Sequence, residues 1–188
     1  MVSILIADDL LLRSYELEDA PELFRAINES RSHLRMWLDW VDATTKPEHS
    51  LQFIQHSLQQ LHDQKALALG IFHKRKIIGG IGMHQWDHAT KKVCIGYWIS
   101  KEYEGKGIIS QCSIRLFDFL FDKLGINKIE LHFVSNNTRS ASVASRLGCK
   151  VEGILRQSSL LNGKLEDVVV TGLLKSEWEN HKKTEQLH

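Results

Sequence analysis

The middle of the chain carries three apolar stretches set apart by short polar turns: Ala66 to Phe72, Lys76 to Met83 and Lys92 to Ile99. His73-Lys74-Arg75-Lys76 and Asp87 to Thr90 supply the turns, so the three read as an antiparallel meander. The period then changes. Residues 107 to 124 place Ile109, Cys112, Leu116, Phe119 and Leu120 on one helical face, and Gly125 stops the run. Lys128 to Val134 alternates as a strand does. Asn137 or Thr138 opens a short helix carrying Val143 and Leu147, which Gly148 ends. Two last strands meet at Asn162-Gly163, a strong two-residue hairpin signal. This order predicts an α/β (α+β) fold: a mixed, mostly antiparallel central sheet with helices on both faces.

Ahead of the meander, Leu10 to Tyr15 reads as a first strand. Asp19-Ala20-Pro21-Glu22 then puts a carboxylate at an N-cap, with an early proline, and predicts a helix through about Glu29. Thr45-Lys46-Pro47-Glu48 repeats the signal, and Leu51, Ile54, Leu58 and Leu61 carry a second helix to about His62. Between them, Trp37 and Trp40 with Leu34 and Leu38 pave one side of a predicted short helix. Two readings stand for the tryptophans: core packing, or the wall of a substrate groove.

A chain of 188 residues suits one domain spanning 1–188. The net charge is +1 with acids and bases interspersed, so the basic face of a nucleic-acid binder is not expected. No apolar run approaches the ~20 residues that span a bilayer, and Met1 to Asp9 does not read as a signal peptide. Cys94, Cys112 and Cys149 are widely spaced and form neither a disulfide framework nor a zinc knuckle; reduced thiols in a cytoplasmic protein are expected. His84 and His88 sit four apart, but Gly79, Gly80 and Gly82 before them make this strand and turn, so no metal site is expected.

The segment Glu104-Gly105-Lys106-Gly107-Ile108-Ile109-Ser110 links the last meander strand to the long helix. Two glycines two apart permit a tight turn and close backbone approach, and the amides that follow are the unpaired donors of a helix N-terminus. With the helix dipole they make a seat for a pyrophosphate. Taken alone, Gly-Lys-Gly is also an ordinary strand-to-helix turn.

Other motifs add to it. Cys94-Ile95-Gly96-Tyr97-Trp98-Ile99 with Glu104 to Gly107, then Asn137-Thr138-Arg139-Ser140 and Arg146-Leu147-Gly148, closely resembles the GNAT acetyltransferase superfamily. Glu152-Gly153-Ile154-Leu155-Arg156-Gln157 with Asn162-Gly163 and Asp167 resembles its RimJ/RimL branch, which acetylates ribosomal-protein N-termini. The resemblance runs from about Leu10 to Trp178. It implies acetyl-CoA as donor and a primary amine as acceptor, the N-terminal α-amine of a ribosomal protein first among them, with monomer and homodimer both open. A small amine such as a polyamine, an amino acid or an aminoglycoside is the alternative acceptor, and a non-catalytic acyl-CoA-binding module is the third reading.

The resemblance also implies site residues. The pyrophosphate would rest on the amides of Gly105, Lys106, Gly107, Ile108, Ile109 and Ser110. The pantetheine arm would lie where the strand ending at Ile99 splays from the one ending at Val134, bonding the backbone of Trp98, Ile99 and Ser100 beside Asn137. Ser140 would protonate the departing thiolate, although it also reads as an early-helix serine, and Asn137 as an N-cap. Trp37 and Trp40 would line the acceptor groove. The family's cradle begins with Gln or Arg, so Glu104 must point away or pair with a base such as Lys101 or Lys106. Relatives carry acids where this chain has Cys94 and, in some members, Ser159. The general base is thus unassigned, with His33, Asp39 and His132 as candidates and Cys94 as a conceivable nucleophile.

Overall fold

A computed structural model of the chain describes residues 1–185. Eight strands form one sheet in the order β1-β2-β3-β4-β5-β6-β8-β7, taking β1 as Ser3–Ala7, β2 Leu10–Ser14, β3 Leu67–His73, β4 Lys76–Asp87, β5 Lys92–Ile99, β6 Lys128–Val134, β7 Lys150–Leu161 and β8 Lys164–Leu174. Every neighbouring pair is antiparallel except β5 and β6, which run parallel. The meander is β3-β4-β5. Its first turn puts Lys74 and Arg75 in the left-handed region, and Asn162 and Gly163 do the same between β7 and β8, as primed hairpin turns require.

Among the described residues there are six α-helices: α1 Ala20–Glu29, α2 Arg31–Leu34, α3 Pro47–His62, α4 Ile108–Asp122, α5 Thr138–Arg146 and α6 Lys175–Glu185. They divide between the two faces. On one side α4 buries Cys112, Leu116, Phe117 and Leu120 against Val93, Ile95, Ile129 and Leu131 of the sheet. On the other, Leu23 and Ile27 of α1 and Ile54 of α3 close over Phe72 and Ile77. Each such side chain contributes about 1.5–3 kcal/mol by leaving water, so two-sided coverage fixes the sheet's position. None of the described helices is long and apolar enough to cross a membrane.

Several details differ from the sequence reading. β1 precedes the expected first strand: it is a short edge strand, half exposed, whose partner β2 supplies the evidence for it. α6 is polar and shows little periodicity; Trp178 anchors it, 2% exposed, with its indole Nε1 donating to Asp118 Oδ1 at 3.0 Å. Asp19 stands at the N-cap of α1 without capping it, because its carboxylate is taken by Arg13 and by the amide of Glu16. The cap position of α3 is Lys46 rather than Thr45, whose amide donates to His49 Nδ1. On α3 the small Ser57, not Leu58, faces inward.

The Trp37–Trp40 stretch does not form the single helix expected. α2 ends at Leu34, Leu38 is extended, and a 3-10 turn covers Asp39–Val41. Trp37 and Trp40 are thereby turned apart, and neither belongs to the buried core.

Candidate active site

The parallel pair β5/β6 holds register from Lys92↔Lys128 to Ile95↔Leu131 and then parts. Beyond Ile95 the edge of β5 that faced β6 has no strand beside it, and a cleft of about 1090 Å³ opens there. Its wall runs from Gly105 and Gly107 past Tyr97 and Ile99 to His132, Asn137 and Ser140. Buried main-chain polar groups need partners, so such a split favours a ligand that bonds like a strand.

Alternation along β5 decides which groups face the gap. The amide of Ser100 donates to Ile78 O at 2.7 Å, and Ser100 O accepts from Tyr103 N at 2.9 Å. Ser100 is therefore committed within the protein, a correction to its expected role. Trp98, two residues earlier and paired with Gly80, turns its main chain to β4 by the same alternation. Ile99 and Tyr97 have theirs on the open side. Trp98 contributes its side chain instead: a Cβ on Gly80 would lie 2.5 Å from its Nε1, so the ring occupies the space that glycine leaves.

The cradle opens α4. Gly105 and Gly107 both take φ +74°, a left-handed conformation that L side chains adopt at a cost, and Gly107 is the N-cap of α4. The first helical bond returns from Gln111 N to Gly107 O, leaving the amides of Ile108, Ile109 and Ser110 without intrahelical acceptors. A Cβ at Gly105 would meet nothing within 4 Å, so the surface is open to a ligand. Lys106 lies off the cleft wall, its Nζ 5.0 Å over the Tyr103 ring. Arg146 reaches in from α5, its Nε donating to Ser110 Oγ at 3.3 Å.

Glu104, which leads into the glycine turn, is paired. Its carboxylate meets Lys101 Nζ at 3.1 Å, Arg139 Nη1 at 2.7 Å and His33 Nε2 at 3.3 Å. Lys101 was legible as a partner; Arg139 and His33 were not. His33 Nδ1 is buried without a hydrogen-bond partner among the described residues, and its ring lines the cleft. Burial lowers the His33 pKa, with Glu104 pulling the other way.

Asn137 Oδ1 accepts from Ser140 N at 3.0 Å, so Asn137 caps α5 while its side-chain amide borders the cleft. Ser140 meets the Tyr97 hydroxyl. Burial raises the Tyr97 pKa and the bond to Ser140 opposes it. Tyr97 stood in the quoted motif without a role, and its alternation with Gly96 was the signal for which way it faces.

Cys94 is buried with its pKa pushed up to about 11, first by burial and then by Glu130, which disfavours the thiolate that a nucleophile needs. Trp37 borders the cleft, as do Ser159 and His132. Trp40 borders a second cavity of about 670 Å³ between α3 and the sheet, its ring edge-on to Trp98 at 6.4 Å between centroids. Asp39 borders neither. Among the described residues no group of three or more His, Cys, Asp or Glu side chains is placed to hold a metal ion.

The left-handed glycines, the free first turn and the unpaired strand edge fit acetyl-CoA: amides for the pyrophosphate, a strand edge for the pantetheine arm. Comparison with known proteins agrees. Residues 9–150 match the acetyltransferase (GNAT) domain model. The Bacillus subtilis protein YdaF, provisionally named a ribosomal N-acetyltransferase, is 30% identical over 178 residues, covering 94% of this chain and 97% of that one. The ribosomal-protein-serine acetyltransferase of Escherichia coli is 25% identical, covering 88% and 93%. Among solved structures, the microcin C7 self-immunity acetyltransferase MccE, in complex with acetyl-CoA and AMP, superposes with a TM-score of 0.86 at 29% identity, covering 90% of this chain and 94% of that one. The chain belongs to the GNAT family and is an N-acetyltransferase.

Proposed function

We propose that the enzyme transfers acetyl from acetyl-CoA to the α-amine of a protein N-terminus, a ribosomal protein first among the candidates, in the cytoplasm. Relatives carrying ribosomal-protein names support this. The observation that carries it is the cleft's electrostatics. Among the described residues lining it, Glu104 is the only carboxylate, and Lys101 and Arg139 already neutralise it. A polyamine would bring further positive charges with nothing to pair them, at the cost of desolvating unpaired ions. A peptide end brings one amine to be acylated. Its α-amine has a pKa of about 8, so a useful neutral fraction exists near pH 7.

In this reading the amides of Gly105 to Ser110 hold the pyrophosphate, and the main chain of Tyr97 and Ile99 with Asn137 aligns the arm. The amine nitrogen attacks the thioester carbonyl directly, and Ser140, backed by Tyr97, gives the leaving sulfur its proton. Trp37 shapes the acceptor end, with Trp40 behind it in the adjoining cavity.

Incubation with acetyl-CoA and a panel of peptides, polyamines, amino acids and aminoglycosides, reading free thiol, tests the acceptor class. Mass spectrometry of ribosomal proteins after the same reaction tests the partner. Acetylation of small amines with every peptide untouched would overturn this reading. Tight acetyl-CoA binding with no thiol release from any amine would leave a binding module.

A further inference from the structure

The acid that relatives carry at the position of Cys94 is missing, and the structure brings other proton-accepting groups to that place. Cys94 pairs with His84 on β4 and with Glu130 on β6, so all three side chains share the sheet face turned toward α1 and α3. His132, two residues beyond Glu130, projects from the same face at the point where β5 and β6 have just parted. Gly96, two beyond Cys94, leaves the space between the strand lips empty: a Cβ there would lie 3.7 Å from His84 Nε2. His84, on β4, borders the second cavity, whereas His132, on the β6 lip, borders the cleft that also holds Ser140.

We propose that His132, oriented by Glu130, is the catalytic base that takes the proton from the attacking amine. The Glu130 carboxylate is almost fully buried and meets three groups from two strands: Oε1 lies 3.2 Å from both Lys92 Nζ and Lys128 Nζ, and Oε2 lies 3.1 Å from His132 Nε2. Burial works against its charge, but Lys128 and Lys92 outweigh burial and hold the carboxyl below its ordinary pKa. A carboxylate only accepts hydrogen bonds, so Nε2 of His132 carries the ring proton and donates it. The neutral ring then has its lone pair on Nδ1, and His132 is among the residues lining the cleft.

This is the base-and-orienter arrangement of general base catalysis, with Glu130 as a positioning residue. As the C–N bond forms and the C–S bond breaks, His132 Nδ1 takes the proton from nitrogen and Ser140 supplies one to sulfur, so the exchange balances. His84 is kept from competing, because burial lowers its pKa.

The inference rests on acetyl transfer to an amine and not on which amine. The test compares the wild-type enzyme with His132→Gln and Glu130→Gln, using a free-amine peptide or, if peptides fail, any small amine the wild type acetylates. Acetyl-CoA affinity is measured by calorimetry, and kcat and KM by thiol release. His132→Gln is expected to lower kcat on the order of 100-fold or more with acetyl-CoA affinity unchanged. Glu130→Gln should act in the same direction. With methoxyamine, whose nitrogen once bonded to the carbonyl is far more acidic than that of an α-amine and gives its proton up to water, the loss in His132→Gln should shrink to a few-fold.

Undiminished kcat in His132→Gln overturns the assignment, as does an equal loss with both amines, which marks a merely structural role. Acetylation of small amines but no peptide overturns the N-terminal acceptor and leaves His132 tested. A wild type that acetylates no amine overturns both.

Discussion

Arg139 Nη1 lies 2.7 Å from Glu104 Oε1, tying the first turn of α5 to the residue that leads into the glycine cradle. The Arg139 side chain is 60% exposed, so the pair adds little to stability, ~0–1 kcal/mol. Its consequence is electrostatic, since it helps to cancel a negative charge beside the phosphate seat.

Arg139→Ala should therefore weaken acetyl-CoA binding, and Glu104→Gln should strengthen it. Calorimetric titration at low and high salt checks both signs. Both effects should shrink in high salt, because exposed charges are screened.

Gly107→Pro should abolish acetyl-CoA binding. Proline fixes φ near −65°, whereas Gly107 takes +74°, and it removes an amide from the cradle. Gly107→Ala has room, its nearest neighbour being Gln111 Nε2 at 3.8 Å, so it should fold. The left-handed φ should still cost it about 1–2 kcal/mol, read by denaturant unfolding.

Ser140→Ala should lower kcat and kcat/KM together while acetyl-CoA affinity holds, the signature of a group acting at the departing thiolate. Tyr97→Phe should follow it in direction, since its hydroxyl meets Ser140. Single-turnover rates check both; normal chemistry in Ser140→Ala would leave water as the proton donor.

Trp37→Ala should raise the acceptor's KM with acetyl-CoA KM near the parent value, because Trp37 borders the cleft. Trp40, 38% exposed and edge-on to Trp98, should cost less stability on truncation than the ~3–5 kcal/mol of a buried tryptophan. Thermal unfolding with initial rates separates the two.

Acid should destabilise the fold partly through His33 and His84. Burial lowers both pKa values below the ordinary 6.5, so the unfolded chain binds these protons first. Their contribution is present above pH 6.5 and is lost as pH falls toward the folded values. Denaturant unfolding across that window should show stability rising with pH, less steeply in a His33→Gln, His84→Gln double variant.

The order of elements was legible because it is written in short windows. The 3.6-residue period of Ile109, Cys112, Leu116 and Leu120 is local, as are the alternation of Lys128 to Val134 and the turn chemistry of Asn162-Gly163. The cradle was legible for the same reason: two glycines and a helix start lie within a few residues. α6 escaped because one anchor, Trp178, makes no period, and β1 because an edge strand takes its support from its neighbour.

What the tertiary structure decided is which side chains meet. Residues 33, 101, 104 and 139 form one ion-pair cluster although no window contains them. The register of β5 against β6 stops at Ile95, and only that stop opens the gap that Tyr97, Ser140 and His132 border. The same alternation took Ser100 out of the site. Main-chain periodicity sets an element's faces from within, whereas the partner each face meets depends on register and packing against elements far away in the chain.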